Sequence, residues 1–164
     1  MRKIVKYPNF ILTQKTTEVI AFDDNLRSLL DEMRQIMITE RGIGLSANQV
    51  NERKSVFIMK SQARFKDGQS ETLEFINPKI LEKSKEYINI NEGCLSAPGV
   101  FLTIPRHEEI YVQYQDRYGN LREGILNEIE AICFQHEFDH LQGIFFTDRV
   151  SRNERRAALR ILGL

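Results

Sequence analysis

Neither sign of charge is in surplus: 23 basic residues face 23 acidic ones. A generally basic DNA-binding chain and an acidic disordered one are therefore not expected. Long apolar runs are missing too. No stretch approaches the ~20 apolar residues of a membrane span, so no membrane partner is expected. The start, MRKIVKYPNFIL, is interrupted by Lys6, Tyr7, Pro8 and Asn9 and does not read as a signal peptide. Cysteine is scarce, with only Cys94 and Cys133. Without an export signal these read as free thiols, buried or available to a metal, in a cytoplasmic protein. Histidine is scarce as well: His107, His136 and His140 are all there are. Repeats and low-complexity segments are also absent. What remains is 164 residues, 41% hydrophobic and 28% charged, enough for one domain with a sizeable core.

Along the chain, residues 1–20 read as an extended arm, with Pro8 breaking any regular element. From Asp23 or Asp24 to about Thr39, Leu26, Leu29, Leu30, Met33, Ile36 and Met37 recur at helical spacing, with an aspartate as cap. GIGLSANQ (Gly42–Gln49) follows; its two glycines permit a tight helix-to-strand turn. Ser55–Lys60 and Thr72–Ile76 read as strands, with Asp67-Gly68 a hairpin turn between them. Asn77-Pro78 is expected to bend the chain, and Lys79–Ile90 to give one or two further strands. Glu108–Gln115 alternates, and Tyr118-Gly119-Asn120 turns it into a partner strand over Leu121–Ile125. A second helix begins near Leu126 or Asn127. Ile129, Ile132, Cys133, His136 and His140 share its inward face, and Gly143 ends it. In the tail, Ser151 and Glu154 form a capping box before Ala157, Ala158, Leu159, Ile161 and Leu162. The class is α+β.

The chemistry lies in that second helix. His136-Glu137-x-x-His140 places two imidazoles four residues apart on one face, close enough to grip one cation. The Glu137 carboxylate sits one residue round, within reach of a water held by the metal, as metal-assisted hydrolysis requires. A third ligand is needed. A histidine three residues past Gly143 would make a longer zinc-peptidase motif, but Phe146 stands there. Glu154 is occupied as a capping residue, and His107, after Pro105-Arg106 at the start of a strand, is expected to be exposed. Cys94, in Glu92-Gly93-Cys94-Leu95-Ser96, is the best candidate.

GIGLSANQ, EGCLS and QHEFDHLQG occur in this order, and with them the chain resembles the peptide deformylases. These are metal hydrolases that remove the formyl group from the first methionine of new bacterial-type proteins. The resemblance covers nearly the whole chain. Its last two motifs match in full, and the first departs only at Ser46, where alanine is usual.

The resemblance implies small antiparallel or mixed sheets packed around a central metal-binding helix, with a short C-terminal helix, all in one catalytic domain over residues 1–164. It implies that Cys94, His136 and His140 hold one divalent ion, expected to be Fe(II), with Zn(II), Ni(II) or Co(II) as substitutes. Glu137 is then the general base and acid, and the Gln49 side-chain amide and the Leu95 backbone N–H are the oxyanion donors. Ile43, Gly44, Ile90, Ile129, Ile132 and Cys133 are expected around the methionine side chain, and Glu92 and Arg106 are expected to pair behind the cysteine loop. The implied partners are nascent formyl-Met polypeptides, with the ribosome a further partner for the basic stretch Arg149–Leu162. The expected compartment is the cytoplasm, with an organelle or phage-infected host also open. A peptidase using a cysteine ligand, or an inactive metal-bound module, are the alternatives.

Overall fold

The computed structural model describes residues 1–64 and 70–164, and the side chains of 1–62 and 70–164. The Asp67-Gly68 turn read from the sequence lies outside them. Helix α1 (Asp24–Thr39) begins where the Asp23 carboxylate accepts a hydrogen bond from Leu26 N. Its six-residue apolar stripe, from Leu26 to Met37, is buried as the spacing predicted. Each such side chain contributes ~1.5–3 kcal/mol by leaving water. The helix stops at Glu40, with Arg41 in the left-handed region (φ 56°).

Strand β1 (Gly44–Ser46) leads through a 3-10 turn, Ala47–Val50, toward β2 (Val56–Arg64) and β3 (Ser70–Lys83). Then come β4 (Tyr87–Cys94), β5 (Ala97–His107), β6 (Glu109–Gln115) and β7 (Leu121–Asn127), followed by α2 (Glu128–Leu141) and α3 (Arg152–Ile161). Among the described residues the strands form an antiparallel sheet in the order β1-β2-β3-β6-β7 and a separate β4-β5 hairpin. Phe57, Phe75 and Phe134 pack as a tilted and edge-on cluster that seats α2 on the larger sheet. On the other side, Leu102 and Ile104 of β5 join Leu12, Phe145, Phe146 and Ala158 in a second core. Helix α2 therefore lies between sheet and hairpin.

Three expectations need correcting, and one strand is additional. The strands read on either side of Asn77-Pro78 are one: Asn77 adopts φ 50° and the register with β6 shifts there, so β3 continues through a bulge. Residues 97–107 form a full strand that alternates inward and outward despite its two prolines, Pro98 and Pro105. The N-terminal arm carries a 3-10 turn at Phe10–Thr13, capped by Asn9. And α2 is not buried on one face alone. Ala131, Phe134, Gln135 and Leu141 are as buried as the histidines, while Ile129, expected inward, is 43% exposed.

Candidate active site

Cys94 ends β4, and His136 and His140 project from one face of α2. Their ligand atoms all lie within 4.8 Å of one another, with Cys94 Sγ 3.4 Å from His140 Nε2. His136 Nδ1 is 2.7 Å from Glu92 Oε1, which leaves Nε2 for a ligand. Burial opposes a charge on His136, but Cys94 and Glu92 outweigh it and hold the imidazole well above its ordinary pKa. Burial, then the charge on His136, pushes His140 the other way. A proton held in such a nest of soft and nitrogen donors is what a cation displaces. One thiol and two imidazoles, with no fourth protein donor in the cluster among the described residues, fit a divalent transition metal with an open position.

Glu137 is 4% exposed, and its Oε2 has no hydrogen-bond partner among the described residues. Burial pushes its carboxyl up to about 7. It can therefore both take and return a proton near neutral pH. Gly44 makes room for it: a Cβ there would stand 2.5 Å from Glu137 Oε1 and 2.9 Å from Cys133 Sγ. The Gln49 amide reaches in from the other side, its Nε2 3.1 Å from Ser96 Oγ and 3.5 Å from Cys94 Sγ.

These groups meet at a cavity of about 560 Å³, lined by Ile43, Gly44, Ile90, Ile129, Ile132 and Cys133 among others, with Gln49, Glu92, Cys94, Leu95, His136 and Glu137 also on its wall. Ile132 and Cys133 are buried, whereas Ile43 and Ile129 are about half exposed at the mouth. Burial and the nearby Glu137 raise the Cys133 thiol well above its usual range, so it is a neutral, apolar wall.

The Glu92–Arg106 pair exists, with distances of 2.8 and 2.9 Å. Arg106 also donates to Asp139 (2.6 Å), and Arg149 grips the same carboxylate at 3.0 and 2.6 Å. Arg149, Asp139, Arg106, Glu92 and His136 thus form a continuous chain of charges behind the site. Burial works against the charge on Glu92, yet the bonds from His136 and Arg106 keep its carboxyl below the usual range. Asp139 is the aspartate of the QHEFDHLQG motif, to which the sequence attached no role. Gln135 joins helix to hairpin, accepting from His107 N and donating to His107 O. His107 itself, expected to be exposed at the start of a strand, ends β5 half-buried, its ring 2.7 Å from Ser84 O.

The family model of polypeptide deformylase matches residues 1–156. The chain belongs to the polypeptide deformylase family. A Helicobacter pylori peptide deformylase is 38% identical over 157 residues, covering 94% of this chain and 88% of that one. A rice chloroplastic peptide deformylase is 42% identical over 149 residues, covering 91% of this chain but only 55% of the longer relative. Among solved structures, a Plasmodium falciparum peptide deformylase superposes with a TM-score of 0.89 at 38% identity, covering 98% of this chain and 93% of that one. The α+β architecture is that of these structures. The family is one of metal-dependent hydrolases acting on formylated nascent chains, so the deformylase reading prevails over the peptidase and inactive-module alternatives.

Proposed function

We propose that residues 1–164 act as one catalytic domain that hydrolyses the formyl amide at the N-terminal methionine of new polypeptides, releasing formate. The observation that carries this reading is Glu137: a buried carboxylate with a free oxygen, beside a Cys–His–His donor set at the end of an apolar cavity. Cys94, His136 and His140 would hold Fe(II), with Zn(II), Ni(II) or Co(II) compatible with the same donors. When bound, the ion polarises the formyl carbonyl and makes water more acidic.

The remaining work belongs to the protein. Glu137 takes a proton from the attacking water onto a carboxylate oxygen and returns it to the departing amine nitrogen. Gln49 Nε2 and the Leu95 N–H donate to the oxygen on which negative charge develops. The unbranched methionine side chain lies among Ile43, Gly44, Ile90, Ile129, Ile132 and Cys133. Glu92, held by Arg106, fixes the His136 ring and its tautomer.

Formyl-Met-Ala-Ser, with acetyl-Met-Ala-Ser as control, tests the reading with anaerobic Fe(II) or Ni(II) protein. Amine release from the formyl peptide alone is expected, abolished by a chelator. Glu137→Ala is expected to lose on the order of 10²–10⁴ in kcat. An inert, metal-loaded wild type would overturn the proposal.

No helix among the described residues is long and apolar enough to cross a membrane. The bacterial relatives support action in the cytoplasm, and the chloroplastic one supports action in an organelle as the other setting. Arg152, Arg156 and Arg160 of α3 are exposed, which suits a ribosomal RNA surface. Ribosome co-sedimentation that survives deletion of α3 would end that part of the proposal.

A further inference from the structure

Shortly after α2 the chain makes a 3-10 turn, Phe146–Arg149, that backs onto the helix bearing both histidines. The Phe146 ring lies 5.6 Å from that of His136, and the Phe145 ring 5.8 Å from that of His140. From the last position of the turn, Arg149 reaches back to Asp139 with two hydrogen bonds of 3.0 and 2.6 Å. Arg149, Asp139 and Arg106 are not on the cavity wall. A role for them in the chemistry has to pass through other residues.

The charges behind His136 balance only if this arginine is counted. Two carboxylates, Asp139 and Glu92, face two guanidiniums, Arg106 and Arg149. The side chains of Asp139, Glu92 and Arg106 are at most 6% exposed, so water does little to settle the account. Arg106 is shared: Nε and Nη2 donate to Glu92, and Nη1 donates to Asp139. Glu92 Oε1 in turn lies 2.7 Å from His136 Nδ1. Without Arg149, two buried carboxylates would have one cation between them, and an uncompensated buried charge is costly. Asp139 would then draw the Arg106 guanidinium off Glu92, and the Glu92–His136 contact would lose its backing.

We propose that Arg149 is a positioning residue for the metal site: by neutralising Asp139 it leaves Arg106 to hold Glu92, and through Glu92 it fixes the His136 ring. This rests on Cys94, His136 and His140 holding a metal. Losing a partner behind a metal ligand typically costs ~10–100-fold in metal affinity. Because the Arg149 side chain is 45% exposed, water replaces part of what it supplies, and the lower end of that range is expected.

The test is a mutant cycle read by metal binding. Wild type, Arg149→Met, Arg149→Lys, Glu92→Gln and the Arg149→Met/Glu92→Gln double variant are stripped of metal and titrated with Co(II), followed by its visible absorption. Melting temperatures are taken on the stripped proteins. The His136 ring is followed in them by ¹⁵N NMR, its signals assigned with His136→Gln. For Arg149→Met the expected result is a Co(II) Kd about tenfold higher, with shifted or broadened His136 ring signals. Arg149→Lys keeps the charge and should stay within about threefold of wild type. In the Glu92→Gln background, Arg106 serves a single carboxylate, so Arg149→Met should raise Kd by less than about threefold. An equal loss of affinity in both backgrounds, in step with melting temperature, would mark a structural role and overturn the proposal. So would unchanged or tighter Co(II) binding by Arg149→Met. A wild type that takes up no Co(II) would sink the metal reading instead, and the ring signals would then decide this inference by themselves.

Discussion

At the residue scale, the site depends as much on an atom left out as on any group present. Gly44 lies against Glu137 and Cys133, and its φ is ordinary, so the demand is for space rather than for backbone freedom. A methyl group there must displace the carboxylate proposed to move the proton. Gly44→Ala is therefore expected to retain its fold, read by circular dichroism, while deformylation of formyl-Met-Ala-Ser falls at least about tenfold, because small misplacements at the reacting groups are costly. A variant of wild-type activity would mean that Glu137 has room to step aside. In the sequence Gly44 reads as one of two glycines in a tight helix-to-strand turn and as a residue around the methionine side chain. Its reason, a 2.5 Å approach to a carboxylate 93 positions later, could be seen only in three dimensions.

At the scale of elements, α1 and α3 follow from local chemistry. Asp23 caps the first, the Ser151–Glu154 box caps the second, and α1 has the apolar stripe expected of a helix lying on a core. Strand β5 was hidden because Pro98 and Pro105 sit in a hairpin with an open edge, where a missing N–H costs little. The β6–β7 turn makes a pH prediction. Burial opposes ionisation of Asp116, but bonds from Asn120, Tyr118 N–H and Arg122 win and lower its pKa to about 2. A depressed carboxyl pKa adds stability above the unfolded value of about 4 and loses it as pH falls through about 2. Urea midpoints of wild type and Asp116→Asn should hence differ above pH 4 and converge toward pH 2. A difference that persists undiminished at pH 2 would remove Asp116 as the cause.

On the scale of the molecule, the three candidate ligand residues join two layers: Cys94 comes from the β4-β5 hairpin and both histidines from α2. Behind them, Arg106 of β5 spans Glu92 and Asp139 while almost wholly buried. A metal held there binds the folded arrangement and not the scattered residues of an unfolded chain. It should stabilise by ~2.7 kcal/mol when free metal exceeds Kd a hundredfold. Stripping the protein with a chelator is accordingly expected to lower its melting temperature by several degrees, with recovery on adding Ni(II) or Co(II). Identical melting curves for stripped and reloaded protein would contradict a metal bridging the two layers.

The sequence by itself determined what is local or written in a fixed spacing. Helical periodicity placed α1 and α2, and the four-residue interval put His136 and His140 on one face, because side chains three and four apart on a helix are neighbours. The short motifs around Gln49, Cys94 and His136 carried the family resemblance for the same reason: each is a contiguous run. Tertiary structure decided whatever depends on residues far apart in the chain. It set Gly44 against Glu137, brought Arg149 and Asp139 onto Arg106, placed the Gln49 amide against Ser96, and buried α2 on nearly every side between a sheet and a hairpin. No local pattern encodes those meetings. They are fixed when apolar faces from distant segments close over one another and the polar groups caught between them must find partners.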